Sequence, residues 1–357
     1  SVLMQRVLST AFLWHNYGND TIGPKSDIEL VPQERIQAFY KTYYQPDNAL
    51  LIVAGRFDAP KTLKLIADSF GKIAKPTRAL PKTFTEEPVQ DGERSVTVRR
   101  VGGVPVLAIG YHVPSASDPD APALNVLDNL LSNPPAGRLY KELVETKKAA
   151  ESYCQPQIMR EGGYFACYAV LREKDAPGPA REALLSVVEK FASKPVTTED
   201  VERAKTSVLK GYELLLNSSD QVGIVLSEFA GAGDWRLLFI DQERISKVTA
   251  DDVMRVAAKY FKASNRTSGE YVPTEKPDRV EISQPADLGP LVNAYKGAAQ
   301  MAQGEAFDSS PKNIEARVTR VTLANGMKVA LLPKKTRGET VHFEMNLHFG
   351  TEASLAG

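Results

Sequence analysis

The sequence predicts an α+β protein of repeated two-layer domains, each with helices packed on one face of a largely antiparallel sheet. Three observations carry this expectation. Strand-like segments sit at both ends of residues 94–271, with helical periodicity gathered between them. Residues 273–316 then lose apolar periodicity, contain Pro277, Pro285, Pro290 and Pro311, and separate that unit from a new hairpin. A shift of 217 residues also superposes Val31 on Val248, Ile36 on Val253, Tyr43 on Tyr260, Tyr44 on Phe261 and Asn48 on Asn265 without a gap. A repeat that long points to duplicated domains rather than to a solenoid.

Composition narrows the class. The chain has 357 residues, enough for two or three domains at about 150 residues each. Hydrophobic residues make up 43% and charged residues 25%, which fits a globular protein with more than one core and excludes disorder. The 44 basic residues balance 44 acidic ones, and no run of Lys and Arg is present, so nucleic acid is not an expected partner. The apolar runs at 49–55 and 102–112 are far shorter than the roughly 20 residues that span a bilayer, so no membrane span is expected. The chain opens at Ser1 without a secretory leader pattern and reads as a piece of something longer.

In chain order, Pro32 opens a helix over residues 32–45, with Ile36, Phe39, Tyr40 and Tyr43 at spacings of three and four or nearly so. Residues 48–55 form a continuous apolar run, the pattern of a strand buried on both faces. Asp58 starts a second helix through Leu63, Ile66, Phe70 and Ile73, and residues 75–93, with three prolines, form a linker. Residues 95–101 and 104–113 read as a strand pair around Gly102 and Gly103, followed by helices over 120–132 and 136–148. Strands at 151–159 and 163–171 then place Cys154 and Cys167 roughly opposite each other, either as buried free thiols or as a disulfide in an oxidising compartment. Helices come next at 179–193, at 198–217 with Thr198 as cap, at 220–230, and at 250–261 behind Thr249. A polar strand near 266–271 closes the unit. Residues 318–323 and 327–332 flank Asn325-Gly326, a pair suited to a type I′ turn with two positive φ angles, and residues 341–349 read as a further strand.

The chain has four histidines and few candidates for chemistry. His15 lies in a polar Gly-containing loop and reads as a loop hydrogen-bonder; His112 ends an apolar strand and reads as structural. His342, Glu344, Asn346 and His348 alternate with apolar residues on one strand face. Two ligands about 20 Å apart along a strand cannot share one ion, so a solvated face is the expectation. No G-x-S-x-G elbow, phosphate-binding loop, dinucleotide fingerprint, C-x-x-C or H-x-x-E-H occurs. No catalytic, cofactor-binding or metal-binding residue is therefore assigned.

The run Tyr44-Gln45-Pro46-Asp47-Asn48, with the apolar strand to Gly55 and then Asp58, resembles the helix–strand junction of the pitrilysin (insulinase-like, inverzincin) family of zinc metallopeptidases. Ile22-Gly23 also matches. Gly137-Arg138-Leu139-Tyr140, running on to Leu143, is similar to the family's R-L-(F/Y)-x-x-L segment, and Val321 to Val329 around Asn325-Gly326 resembles the L-x-N-G opening of a family half. The resemblance implies two homologous halves that close like a clam shell around a chamber. It implies that residues 1–78 end a first peptidase-type domain, 79–272 form a second, non-catalytic one, 273–315 link the halves and 316–357 begin a third domain. The family's zinc ligands and general base would lie upstream of Ser1, so zinc is expected in the parent protein and not in this piece. Where an active fourth domain carries an Arg and a Tyr that grip the scissile carbonyl, this sequence has Val144 and Glu151, which fits a non-catalytic domain. The implied function is an internal piece of a zinc-dependent endopeptidase acting on peptides or unfolded polypeptides, with the remaining half of the same chain as partner. The alternative is a non-catalytic relative that keeps the fold as a scaffold or partner subunit. A periplasmic or envelope location is the expectation for a fused bacterial protein of this kind.

Overall fold

Helices α1 (Val2–Ala11), α2 (Lys25–Leu30), α3 (Gln33–Tyr43) and α4 (Ala59–Phe70) open the chain in the computed structural model, which describes residues 1–283, 285–297, 303–348 and 350. Helix α3 keeps the expected periodicity, and the Asp58 side chain caps α4 by accepting the Lys61 N–H at 2.9 Å. The expected strand at 48–55 is corrected. After a 3₁₀ turn at Pro46–Asn48, residues 49–54 join no sheet, and Leu50 and Leu51 are 60% and 55% exposed. Among the described residues no strand lies beside this run, so its backbone has no ladder to enter.

From residue 94 the order is β1 (Arg94–Val101), β2 (Val106–Val113), α5 (Ala121–Ser132), β3 (Glu151–Met159), β4 (Gly162–Val170), α6 (Pro177–Glu189), α7 (Thr198–Leu216), α8 (Ser219–Gly231), α9 (Leu237–Ser246), α10 (Ala250–Tyr260) and β5 (Arg266–Thr274). The five strands form one sheet in the order β1-β5-β2-β4-β3. Three neighbouring pairs are antiparallel and β1 with β5 is parallel. The expected β1–β2 pair is corrected: β5 lies between them. Gly102 and Gly103, both at positive φ, carry the chain past the intervening place. The polar strand that ends the unit is thus an interior strand.

The main core lies between the sheet and helices α5, α6, α7 and α10, with Leu124, Leu127, Leu131, Phe165, Leu184, Val253 and Phe261 inaccessible or nearly so. The second face is covered as well, which adds a layer to the expected two. Leu3 and Val7, four apart on α1, pack on Val98, Ala108, Ala166 and Tyr168. A Cβ on Gly269 would overlap the Val7 side chain, so glycine at that place sets how closely α1 can approach.

Smaller corrections have local chemical causes. The helix expected over 136–148 is a shorter piece ending in a π-helical turn, Tyr140–Glu145. Thr197, not Thr198, caps α7, in a reciprocal capping box with Asp200. Helix α9 is absent from the sequence expectation because Leu237–Ile240 is an apolar run without amphipathic alternation and Asp241 occupies one of the helix's buried positions. Cys154 and Cys167 face each other across β3 and β4 and form a disulfide, with Cα atoms 3.9 Å apart.

The described residues from Val280 onward form a second compact unit. It contains α11 (Leu288–Ala294), α12 (Pro311–Arg317) and a hairpin of β6 (Thr319–Thr322) with β7 (Lys328–Leu331). The turn is not type I′. Only Gly326 takes positive φ, and its N–H donates to the Leu323 carbonyl at 2.9 Å, so a type I turn ends in a left-handed glycine. The expected strand at 341–349 is also corrected: residues 341–348 join no ladder, and Phe349 lies outside the described residues. No helix of the described residues is long and apolar enough to cross a membrane.

Candidate binding site

Helix α9 turns Asp241 inward, 8% exposed, against α5 and α7. Its Oδ2 accepts from Asn125 Nδ2 of α5 and from the Tyr212 hydroxyl of α7, both at 3.2 Å. Burial pushes the Asp241 carboxyl above the usual carboxylate range. The Tyr212 and Asn125 hydrogen bonds and the Arg244 charge oppose that shift without cancelling it. The same burial, with the Asp241 charge, raises the Tyr212 hydroxyl. Asp241 makes no ion pair among the described residues. Arg244, one turn along the helix, donates to the Ser117 carbonyl at 3.3 Å.

Asp241 lines a cavity of about 620 Å³ walled by Ile158 of β3, Val225 and Phe229 of α8, and Leu237 of α9. Apolar walls with a few convergent polar groups are the usual makeup of a ligand pocket. Neither Asp241 nor Tyr212 stands out in the sequence, because the pocket is assembled from elements far apart in the chain. The one legible signal is an acid inside an otherwise apolar helix face.

The histidines weighed from the sequence lie elsewhere. His15 Nε2 bonds Glu161 Oε2 at 2.8 Å while its Nδ1 accepts the Tyr17 N–H at 3.2 Å, a loop hydrogen-bonder as expected. His112 bonds the Ala11 carbonyl at 3.1 Å and packs on Phe12 with ring centroids 4.5 Å apart, and burial lowers its pKa. These two histidines border a second cavity of about 470 Å³ with Glu87. The Glu87 carboxylate accepts the N–H groups of Leu13, Trp14 and His15 at 2.7, 3.0 and 2.9 Å. Burial would raise its pKa, and those backbone bonds outweigh burial and hold it low. His342, Glu344, Asn346 and His348 are exposed on an irregular segment. Val144 lies half-buried in the π-helical turn and Glu151 is exposed at the start of β3. Among the described residues no three His, Cys, Asp or Glu side chains come together as a metal site.

A family profile described as the peptidase M16 inactive domain matches residues 31–208. A curated relative, the zinc protease PqqE of Helicobacter pylori, is 26% identical over 270 residues, covering 75% of this chain and 61% of its own length. The chain therefore spans about three fifths of that relative. A crystal structure of a protease from Helicobacter pylori superposes with a TM-score of 0.72 at 26% identity, over 76% of this chain and 67% of that one. The first half of the periplasmic protease PqqL from Escherichia coli shares the fold, with a TM-score of 0.61 at 16% identity over 77% of this chain and 61% of that one.

Proposed function

Because the chain belongs to the pitrilysin (peptidase M16) family, we propose that it is an internal part of a zinc-dependent metalloendopeptidase, the part that lends a wall to the substrate chamber. The observation that carries this reading is the match of residues 31–208 to the family's inactive domain. Zinc would supply the activated water for peptide hydrolysis and would be held by other residues of the parent. The described residues do not fit it, since no three ligand side chains converge.

The contribution of this part is then binding. A wall that holds polypeptide equally well in ground and transition states lowers KM without raising the rate of the chemical step. The surface around Asp241 fits that task, with a cavity of about 620 Å³ and apolar sides. The Cys154–Cys167 disulfide supports work in an oxidising compartment, and the periplasmic location of the PqqL relative supports the cell envelope.

Hydrogen exchange of the chain with reduced, carboxymethylated α-lactalbumin as probe tests the wall. Slower exchange in β3, α8 and α9, with the probe intact, is expected. Unchanged exchange throughout those elements would refute the wall.

A further inference from the structure

We propose that the cavity beside Asp241 takes a basic side chain, lysine or arginine, from a bound polypeptide. The proposal rests on the chamber-wall reading and names the side-chain class that the wall selects.

The argument starts from the unmet charge. A buried carboxylate is ordinarily paired with a cation or held by several donors. Asp241 has two donors, both neutral and both on Oδ2, and among the described residues none on Oδ1. The nearest cation on its own helix, Arg244, is committed to the Ser117 carbonyl. Asp241 is nonetheless a lining residue of the cavity, so the open Oδ1 is the place where a ligand's cation completes the pair.

The remaining surface suits the rest of such a side chain. Val225, Phe229 and Leu237 offer apolar contact to an aliphatic stem, as such stems take on protein surfaces. The other charged groups on the lining are Arg160 after β3, Glu228 of α8 and Arg244 of α9. Arg160 and Glu228 are exposed and screened by solvent, and the half-buried Arg244, whose charge does reach Asp241, leaves that carboxyl above the usual carboxylate range, so room for a second cation remains.

The test uses two fluorescent N-acetylated heptapeptide amides that differ only in a central lysine or norleucine, titrated into the chain by anisotropy. At least tenfold tighter binding of the lysine peptide is expected, and Asp241→Asn should bring it to the norleucine level. A photo-reactive lysine at the same place should label α8 or α9, a readout that does not depend on the variant folding. Equal affinity of the two peptides, a lysine preference that survives in Asp241→Asn, or labelling confined to other elements would each overturn the pocket and leave the wall standing. Binding of neither peptide, with no exchange protection by carboxymethylated α-lactalbumin, would overturn both.

Discussion

Asn48 and Asn265, 217 positions apart, make the same hydrogen bond: each side-chain amide donates back to the carbonyl five residues earlier, Tyr43 at 3.0 Å and Tyr260 at 2.9 Å. The helices before them, Gln33–Tyr43 and Ala250–Tyr260, have bounds that coincide under the same shift, as do the 3₁₀ turns Pro46–Asn48 and Ala263–Asn265. The local unit is therefore repeated down to its cap. The two chains of residues diverge after it, because those beyond Asn265 enter a sheet and those beyond Asn48 do not. We propose that the two units close domains of one topology.

That difference predicts unequal costs for removing the two amides. Asn265 also donates to the His112 carbonyl at 3.0 Å and is half-buried, whereas Asn48 is exposed. Asn265→Ala should cost about 1–3 kcal/mol and Asn48→Ala less than about 1 kcal/mol. Urea unfolding of each variant measures this, and equal costs would contradict it.

Gly269 and Val7 form the second test. A methyl group at Gly269 overlaps Val7 Cγ2, so Gly269→Ala should destabilise by about 1–3 kcal/mol through overpacking. Adding Val7→Ala frees that space, and the double variant should lose less than the sum of the single changes. Strict additivity would mean that α1 does not press on β5.

Much of the fold is legible in the sequence, and the misses share a cause. Local patterns place α3, α5, α7, α10, β3 and β4 close to their observed bounds, since periodicity and caps act within a few residues. Long-range pairing leaves no such trace. Nothing in Ser268 or Gly269 says that β5 inserts between β1 and β2, and nothing in residues 48–55 reports that no partner strand lies beside them. The candidate pocket is hidden for a related reason: Asp241, Tyr212 and Asn125 meet only after three helices pack, and the buried acid masks the helix that carries it.

Asp128 predicts a pH dependence. Burial raises its carboxyl to about 6, against an ordinary value of 3.8, although Ser132 Oγ donates to it at 2.9 Å. The unfolded chain gives up this proton first, so the stability this group contributes is fully present below about pH 4 and is lost as pH rises toward 6. Asp128→Asn keeps an oxygen for Ser132. It should match the parent near pH 4 and exceed it above pH 6, by on the order of 2 kcal/mol. Urea midpoints at pH 4, 5 and 7 decide it; a constant difference across that range would contradict the shift.

The disulfide gives a further prediction. Cys154 and Cys167 close a short loop between adjacent strands, and the Cys154 N–H donates outward to Ser132 Oγ at 2.7 Å, joining β3 to α5. Replacing both cysteines with serine should cost on the order of 3 kcal/mol through the unfolded chain's added freedom. Thermal unfolding with and without reductant should show the parent falling to the level of the variant. No effect of reductant on the parent would contradict the bond's contribution.

The central claim, that this part of a peptidase binds polypeptide while the zinc chemistry belongs to other residues, is tested most directly by metal content and turnover measured together. The purified chain is dialysed, its zinc counted by mass spectrometry, and an unfolded polypeptide incubated with it. The account predicts zinc far below one per chain and intact polypeptide that nonetheless slows exchange in β3, α8 and α9. One tightly bound zinc per chain, with cleavage that a chelator abolishes, would contradict it.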